Sequence, residues 1–153
     1  MCVLIFSLSN CVDNQQDTPA EKQEANQTAF IESLEKHLNS VANRDLIALK
    51  STMHPSGKMR LILPGTETIS SVDSFMSYHE SWFKDTTWTF TTEIKNTLVG
   101  TQMGSAIVEA MYREPERDGA PYFNRMTVSY GLAKQNGEWY IILDHASSVE
   151  KST

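Results

Sequence analysis

The sequence predicts an α+β fold in which three N-terminal helices pack on a long, curved and mainly antiparallel sheet. Apolar residues recur at helical spacing in the first half of the chain and alternate with polar residues after Asp85. Turn sequences at Gly100, Asp118-Gly119 and Asn136-Gly137 divide the second half into four strand-length segments. Helices followed by adjacent hairpins are typical of α+β domains, in which the helices cover one face of the sheet.

The first two predicted helices meet at Asn43-Arg44. Helix 1 begins at Thr28 and carries one apolar stripe, because its large apolar residues are three or four positions apart. The members of this stripe are Phe30, Leu34, Leu38 and Val41. Asp45 is placed to cap a short second helix, and Pro55-Ser56-Gly57 ends it.

A short strand and a third helix precede the main sheet. The strand is predicted over residues 59–63, and the helix begins at Ser71-Val72-Asp73. The four later strands are predicted over residues 87–99, 103–113, 123–134 and 138–149.

Length and charge exclude several classes of protein. With 153 residues, of which 40% are hydrophobic, the chain can bury one good core and is short for two domains. The formal charge of −6 and the scattered Lys and Arg residues argue against a nucleic-acid partner, which requires clustered cations.

The N-terminus has the character of an export signal. Residues 2–9 are apolar and too few to span a bilayer as a helix. Leu8-Ser9-Asn10-Cys11 resembles the bacterial lipobox, in which the cysteine is lipidated. We therefore expect residues 1–11 to form a signal segment and the protein to be exported and lipid-anchored at Cys11 in the cell envelope. The alternative is a cytoplasmic protein with a hydrophobic N-terminus.

Residues 12–27 are rich in Asp, Asn, Gln, Glu and Lys and contain almost no large apolar side chain. Such a segment cannot bury enough apolar surface to offset the entropy of ordering it. The sequence predicts a disordered tether here, followed by one domain over residues 28–150.

The order of elements resembles the SnoaL-like branch of the NTF2-like superfamily. The strongest marks are Asn43-Arg44-Asp45-Leu46, similar to the family's Asn-Gly-Asp-Leu, and the final strand, Gly-x-Trp-x-Ile-x-x-Asp-His-x-Ser over residues 137–147. The resemblance implies a cystatin-like α+β cone. This scaffold carries ketosteroid isomerases, polyketide cyclases, dehydratases and kinase association domains, so fold alone does not give activity.

The resemblance also suggests site residues. His37 occupies the position of a helix-1 tyrosine in ketosteroid isomerases, eight residues before Asp45, and Tyr130 lies near the position of their oxyanion-stabilising acid. Leu61-Ile62-Leu63 has no acid where those enzymes keep their general base. Isomerisation by their route is therefore not expected, although a phenol can replace the oxyanion-stabilising acid.

The final strand carries the main catalytic candidate. Alternation sends Asp144 and His145 to opposite faces. By analogy with the family, the face toward the helices consists of Tyr140, Ile142, Asp144 and Ala146, with Tyr112 and Tyr130 on neighbouring strands. A carboxyl in an apolar wall has a raised affinity for a proton, which suits a general acid or base. The alternative is that Asp144 only accepts a hydrogen bond from Tyr130 or His37.

The other ligand-binding candidates lie on helix 3 and on the first long strand. His79 and Trp82 are placed to line the cavity mouth, Trp88 is a core residue first and a ligand contact second, and Ile142 lies on the inferred inner face. No pair of histidines has metal-ligand spacing and the predicted domain contains no cysteine, so neither a metal nor a cofactor is expected.

Two functions remain open at this point. The first is binding of a small, largely apolar ligand, with proton transfer by Asp144 and with His37, Tyr130 and Tyr112 as donors. The alternative is a non-catalytic interaction domain. Alternation puts three apolar residues on the same face of the final strand as His145, namely Trp139, Ile141 and Leu143. We therefore expect an apolar strip on the outer face of the sheet and a homodimer that covers it.

Overall fold

The computed structural model describes residues 18–152 and has the predicted α+β architecture. Three helices and six strands follow one another in the order α1, α2, β1, β2, α3 and β3 to β6. Their bounds are Pro19–Ala42 (α1), Leu46–Ser51 (α2), Arg60–Ile62 (β1), Thr68–Ile69 (β2), Val72–Trp82 (α3), Thr89–Val99 (β3), Met103–Arg117 (β4), Ala120–Gln135 (β5) and Glu138–Lys151 (β6). No helix of this described region is both long and apolar enough to cross a membrane.

Helix α1 begins nine residues earlier than predicted. The Thr18 hydroxyl accepts a hydrogen bond from the Glu21 backbone N–H, and the Glu21 carboxylate accepts one from the Thr18 N–H at 2.7 Å. This capping box, with Pro19 at the first helical position, starts a helix in a segment of polar helix formers. The predicted tether is therefore wrong for residues 19–27, while residues 1–17, including Cys11, lie outside the described part of the chain.

The Asp45 cap of α2 is as predicted, and Ser71 caps α3 at the point where the sequence predicts that this helix begins. The Asp45 carboxylate accepts a hydrogen bond from the Ala48 N–H at 2.9 Å, and the Ser71 hydroxyl accepts one from the Ser74 N–H at 3.1 Å. Each bond satisfies a backbone donor that the first turn of a helix leaves free. The two caps therefore set the starts of α2 at Leu46 and of α3 at Val72.

The six strands form one sheet in the order β2-β1-β6-β5-β4-β3. All neighbours are antiparallel except β1 and β6, which are parallel. Asn136 and Gly137 have φ values of 53° and 89°, and Asp118 and Gly119 have 56° and 86°. Two consecutive positive φ values are typical of the tight hairpin turns that the sequence predicts.

A β-bulge in β6 changes which residues face the helices. Gly131 pairs with Leu143 and Leu132 pairs with Ile141, so Ile142 is an extra residue on β6. Alternation therefore restarts at Ile142.

The bulge makes part of the predicted inner face wrong. Trp139 and Ile141, expected on the outer face, are buried toward the helices, and Ile142 does not line the cavity between helices and sheet. Beyond the bulge the prediction is correct, because Asp144 is buried and lines that cavity while His145 is exposed.

The core lies between α1 and the sheet. Phe30 is fully buried and meets Trp139 edge to face at 5.2 Å between ring centroids. Close contact between α1 and β4 requires Gly104, where a Cβ atom would lie 2.5 Å from Phe30. The space between α3 and the rest of the sheet is not filled in this way, and it forms the cavity described next.

Candidate functional site

A cavity of about 600 Å³ lies between the inner face of the sheet, α3 and the β1–β2 hairpin. Strand register arranges its sheet wall in rows, each made of one residue from β5 and its partner on β6. From base to rim the pairs are Tyr130 with Asp144, Val128 with Ala146, Met126 with Ser148 and Asn124 with Lys151. The base and the rim are polar, and the two rows between them are mainly apolar.

Asp144 is the carboxyl at the base of this wall. The residue is 9% exposed, and no side chain or backbone group of residues 18–152 donates a hydrogen bond to its carboxyl. Burial raises the pKa of Asp144 from 3.8 to about 7. Near neutral pH the group is therefore present in both protonation states, as a proton donor or acceptor requires.

Tyr130 faces Asp144 across the β5–β6 ladder. Burial raises the pKa of the Tyr130 phenol well above its usual value, and the neighbouring Asp144 charge raises it further. Tyr130 is therefore a neutral phenol. It can donate a hydrogen bond to an oxygen in the cavity, as the sequence predicts for this residue.

Helix α3 contributes His79, which lines the cavity as predicted. The His79 Nδ1 atom lies 2.9 Å from the Phe75 carbonyl oxygen, so Nδ1 carries the proton and donates it. Burial lowers the pKa of His79 to about 4. The ring is therefore neutral at pH 7, and its Nε2 atom is a hydrogen-bond acceptor.

Tyr78 also lines the cavity, a position that the sequence pattern did not indicate. Burial, Glu67 and Asp144 raise its pKa, in that order of effect. Its neighbour His79 was selected because it lies on the apolar stripe of α3, whereas Tyr78 lies beside that stripe. Only the position of the β1–β2 hairpin shows that Tyr78 also faces enclosed space.

His37 does not line the cavity, contrary to its predicted role as a direct donor. Its Nδ1 atom lies 2.8 Å from the Thr52 hydroxyl, which itself donates to the Leu49 carbonyl oxygen. His37 therefore donates through Nδ1, and its buried Nε2 atom has no hydrogen-bond partner among the described residues. The ring packs edge-on against Tyr130 at 5.5 Å, so His37 supports a cavity residue from behind.

Of the two tryptophans selected from the sequence, only Trp82 lines the cavity. Trp88 stacks behind it at 4.4 Å between ring centroids and is 1% exposed. The Arg44 guanidinium covers the other side of Trp88 at 3.8 Å. Trp88 thus fixes the cavity wall without forming its surface, which is the core role that the sequence favours for it.

The cavity rim contains a polar cluster on β4 and β5. Tyr112, a predicted ligand contact, lines the cavity and donates a hydrogen bond to Glu114 at 2.5 Å. Arg117 binds Glu114 through two nitrogen atoms and stacks on Tyr122 at 3.5 Å. Burial and Glu114 raise the pKa of Tyr112 to about 12. The predicted strand ends at residue 113, whereas β4 continues to Arg117, so neither Glu114 nor Arg117 was predicted to reach the cavity.

Asn124 is a further rim residue that sequence reasoning missed. Its side-chain oxygen is buried and has no hydrogen-bond partner within the described structure. Neither periodicity nor spacing distinguishes Asn124 from other strand residues. Within residues 18–152, no three His, Cys, Asp or Glu side chains come together as a metal site.

Comparison with known proteins identifies the family. Residues 31–150 match the SnoaL-like domain family. No protein of curated function matches the sequence significantly.

Solved structures with the same fold have several kinds of function. A ketosteroid isomerase-like protein from Erwinia carotovora is 16% identical with a TM-score of 0.68, covering 80% of this chain and 95% of its own. A proposed dehydratase of the NTF2-like family from Streptomyces avermitilis is 12% identical with a TM-score of 0.70, covering 82% and 97%.

The association domain of CaMKII from C. elegans is 14% identical with a TM-score of 0.62, covering 82% of this chain and 98% of its own. At such identities the likeness shows a shared fold and not a shared activity. The family match covers most of the chain, and the three structures agree with it. This chain belongs to the SnoaL-like domain family.

Proposed function

We propose that this domain binds a small, largely apolar molecule in the cavity and that Asp144 exchanges a proton with it. The observation that carries the proposal is the Asp144 carboxyl itself, which lies on the cavity wall without a hydrogen-bond partner among residues 18–152. The Asp144 oxygens are not among the fully buried side-chain atoms that lack a partner in the described structure, so they are open to the cavity, where a ligand can reach them.

The neighbouring groups suit proton transfer to or from carbon. In the proposed step the Asp144 carboxylate accepts a proton from a ligand C–H bond. The electron pair of that bond moves toward a conjugated oxygen of the ligand, and the neutral Tyr130 phenol stabilises the developing charge by donating a hydrogen bond. The protonated Asp144 then returns the proton, so that the carboxylate is regenerated.

The apolar rows between the base and the rim indicate the kind of ligand. Val128, Ala146 and Met126 offer no hydrogen bonds, so the body of the ligand should be apolar. Similarity to an isomerase-like protein and to a proposed dehydratase supports this class of chemistry, because proton transfer is common to isomerisation, cyclisation and dehydration.

The first experiment is mass spectrometry of small molecules retained by the purified protein. The second measures proton exchange between deuterated water and a panel of cyclic ketones by NMR. We expect wild type to accelerate exchange and Asp144→Asn to lose at least about 100-fold of that acceleration. Glu109→Gln is the matched control, because Glu109 is an exposed carboxylate on β4.

The proposal is wrong if Asp144→Asn retains every detected exchange activity and binds anilinonaphthalene sulfonate as wild type does. If wild type binds this dye in the cavity but does not accelerate proton exchange, the proposed proton transfer is wrong and only the proposed ligand binding remains supported. A fall in activity of the Glu109→Gln control equal to that of Asp144→Asn would show that the effect is not local.

A non-catalytic association function is the second proposal. Leu98 is 74% exposed and Ile107 39% exposed, and the register of β3 and β4 puts both side chains on the same face of the sheet, where a second copy could cover them. Similarity to a kinase association domain also favours this function. Equilibrium sedimentation tests it: we expect a homodimer for wild type and a shift to monomer for Ile107→Lys, whereas a monomeric wild type would contradict it.

We also propose that the domain is displayed at the cell envelope through a lipid on Cys11. The lipobox-like sequence before Cys11 supports this proposal. Metabolic labelling with a palmitate analogue tests it, and Cys11→Ser should abolish the label. An unlabelled wild type, or a label that survives Cys11→Ser, would end the proposal.

A further inference from the structure

A second concave site lies away from the cavity, and we call it the outer basic pocket. It has a volume of about 490 Å³ and lies where the turn after α2 meets β1, the end of β2 and the bulge of β6. Its lining residues are His54, Ser56, Lys58, Met59, Arg60, Ser70 and Ile142. The bulge residue Ile142, which was expected in the ligand cavity, forms part of this pocket instead.

Hydrogen bonds fix which atom of His54 carries the proton. The Ser56 backbone N–H lies 3.2 Å from His54 Nδ1, and a backbone N–H can only donate. Nδ1 is therefore an acceptor, and the Ser56 hydroxyl at 2.8 Å can donate to the same atom. The neutral ring must then carry its proton on Nε2, so His54 offers a donor that no other described residue uses.

The remaining polar groups of the pocket are donors as well. Arg60 donates to the Ser70 hydroxyl oxygen at 3.0 Å, which leaves the Ser70 proton and the other guanidinium N–H groups available. Lys58 adds an ammonium group. Neither Lys58 nor Arg60 forms a salt bridge with any acid in residues 18–152.

Charge makes this arrangement unusual for the protein. The chain carries a formal charge of −6, yet no carboxylate lines the outer basic pocket. Two exposed cations, an imidazole N–H and a hydroxyl thus line a concave space that contains no acidic partner. Such a donor set is complementary to an oxyanion and repels cationic ligands.

We propose that the outer basic pocket binds a phosphate group. A phosphomonoester carries a charge of about −1.5 to −2 at pH 7 and has three acceptor oxygens, which matches two cations and several donors that approach from different residues. A carboxylate has one charge and two oxygens, so it would leave a cation and at least one donor unpaired. The phosphate is that of a small metabolite or of a lipid head group, which share this chemistry.

The test is an NMR titration of the purified protein at pH 7 and constant ionic strength, with inorganic phosphate, glycerol phosphate and acetate in separate arms. We expect both phosphates to shift the amide signals of Ser56 and Lys58 and the Arg60 Nε–H signal in a saturable manner. We expect acetate to bind at least about tenfold more weakly, because it lacks the second charge.

Variants place the binding in this pocket. Arg60→Gln and Lys58→Gln should each weaken phosphate binding by about tenfold or more. Arg113→Gln, which removes another exposed arginine, on β4, should leave it unchanged. Equal affinity in wild type and Arg60→Gln, or equal affinity for acetate and phosphate, would overturn the proposal.

A vesicle arm distinguishes the two sources of phosphate. Vesicles that contain phosphatidic acid are compared with neutral phosphatidylcholine vesicles in a sedimentation assay. Binding to the acidic vesicles that Arg60→Gln abolishes, without a response to soluble phosphates, would assign the pocket to a lipid head group. Saturable binding of soluble phosphates without vesicle binding would assign it to a metabolite, and failure of every arm would disprove the site.

Discussion

Tyr130 and Asp144 are directly paired on strands β5 and β6, and both side chains face the cavity. The pairing places a phenol beside a carboxyl that has no hydrogen-bond partner in the described structure. Burial raises the pKa of both groups, and the Asp144 charge raises the pKa of Tyr130 further. Only one of the two therefore ionises in the physiological range, and it is Asp144.

The raised pKa of Asp144 predicts a specific pH dependence of stability. In the folded protein the pKa is about 7, compared with 3.8 as the ordinary value, so the folded state holds this proton more tightly. The contribution of Asp144 is most favourable below about pH 4 and is lost as the pH rises to about 7. The full effect is on the order of 4 kcal/mol.

Asp144→Asn should remove this dependence. Asparagine has nearly the same shape and does not ionise, so we expect the variant to match wild type near pH 4 and to be more stable at pH 8. Urea unfolding at pH 4, 6 and 8 measures the difference. Glu109→Gln should show no such divergence, since Glu109 is exposed. Parallel stability curves for wild type and Asp144→Asn would show that the Asp144 pKa is ordinary.

The two buried histidines should make folding stability depend on pH in the opposite direction to Asp144. Burial lowers the pKa of His37 to about 3 and that of His79 to about 4, from 6.5. The folded state therefore keeps both rings neutral, and the stability that this provides is present above about pH 6.5 and is lost as the pH falls toward 4. Acidification should thus destabilise the domain in the range where protonation of Asp144 stabilises it.

His37→Gln separates these effects, because glutamine keeps a donor for Thr52 but does not titrate. We expect the free energy of unfolding of the variant, relative to wild type, to rise by at least about 1 kcal/mol between pH 7 and pH 5. Urea midpoints at the two pH values provide the measurement. His145→Gln, on an exposed residue, is the matched control. An unchanged difference would mean that His37 is not held neutral by the fold.

Local sequence signals were sufficient to predict most of the fold. Caps at Asp45 and Ser71 and the turn at Asn136-Gly137 each act over a few residues, so their outcome hardly depends on distant parts of the chain. The predicted start of α1 is wrong because the polar composition of residues 19–27 is typical of disorder, although the Thr18–Glu21 capping box is an equally local signal for a helix.

The bulge at Ile142 limited the prediction of the site. Alternation is a reliable rule only along an uninterrupted strand, and one extra residue reverses it. A glycine inside a strand pattern is a known sign of a bulge, and Gly131 lies directly across the ladder from it. Asp144 was placed correctly because it lies beyond the bulge, whereas the same family analogy failed for Ile142 at the bulge itself. Glu114, Arg117 and Tyr78 were missed because only tertiary packing brings them to the cavity.

Arg44 should stabilise the wall of the cavity by a measurable free energy. Its guanidinium lies 3.8 Å from the Trp88 ring centroid and donates to the backbone carbonyls of Asp85 and Trp88. Arg44→Ala loses the cation–π contact and both hydrogen bonds, and should lower the free energy of unfolding by about 2 kcal/mol. Thermal and urea unfolding measure this loss.

A glycine at position 44 provides the comparison. Arg44 has a φ of 58°, which costs a residue with a Cβ about 1 kcal/mol but costs glycine little. Arg44→Gly should therefore be more stable than Arg44→Ala by about 1 kcal/mol, although the chain entropy of glycine reduces the gain. A glycine variant that is less stable than the alanine variant would contradict the assigned backbone strain.

Gly104 and Phe30 should show strong energetic coupling. A Cβ atom on Gly104 would lie 2.5 Å and 2.9 Å from two ring carbons of Phe30, and that ring is held edge-on against Trp139. Since the ring cannot move aside within a close-packed core, Gly104→Ala should cost about 1–3 kcal/mol. Gly65→Ala is the matched control, because a Cβ atom there meets nothing within 4 Å and the residue does not have a positive φ.

The double variant tests whether the steric contact is the cause. Phe30→Leu alone should destabilise the core by about 1 kcal/mol or more, because it removes ring atoms from a fully buried position. The space that it leaves accommodates the new methyl group, so Gly104→Ala with Phe30→Leu should be more stable than the sum of the two single effects predicts, by about 1 kcal/mol. Urea unfolding of all four proteins closes the cycle. Additive effects would mean that Gly104 is required by the strand backbone, not by the approach of α1.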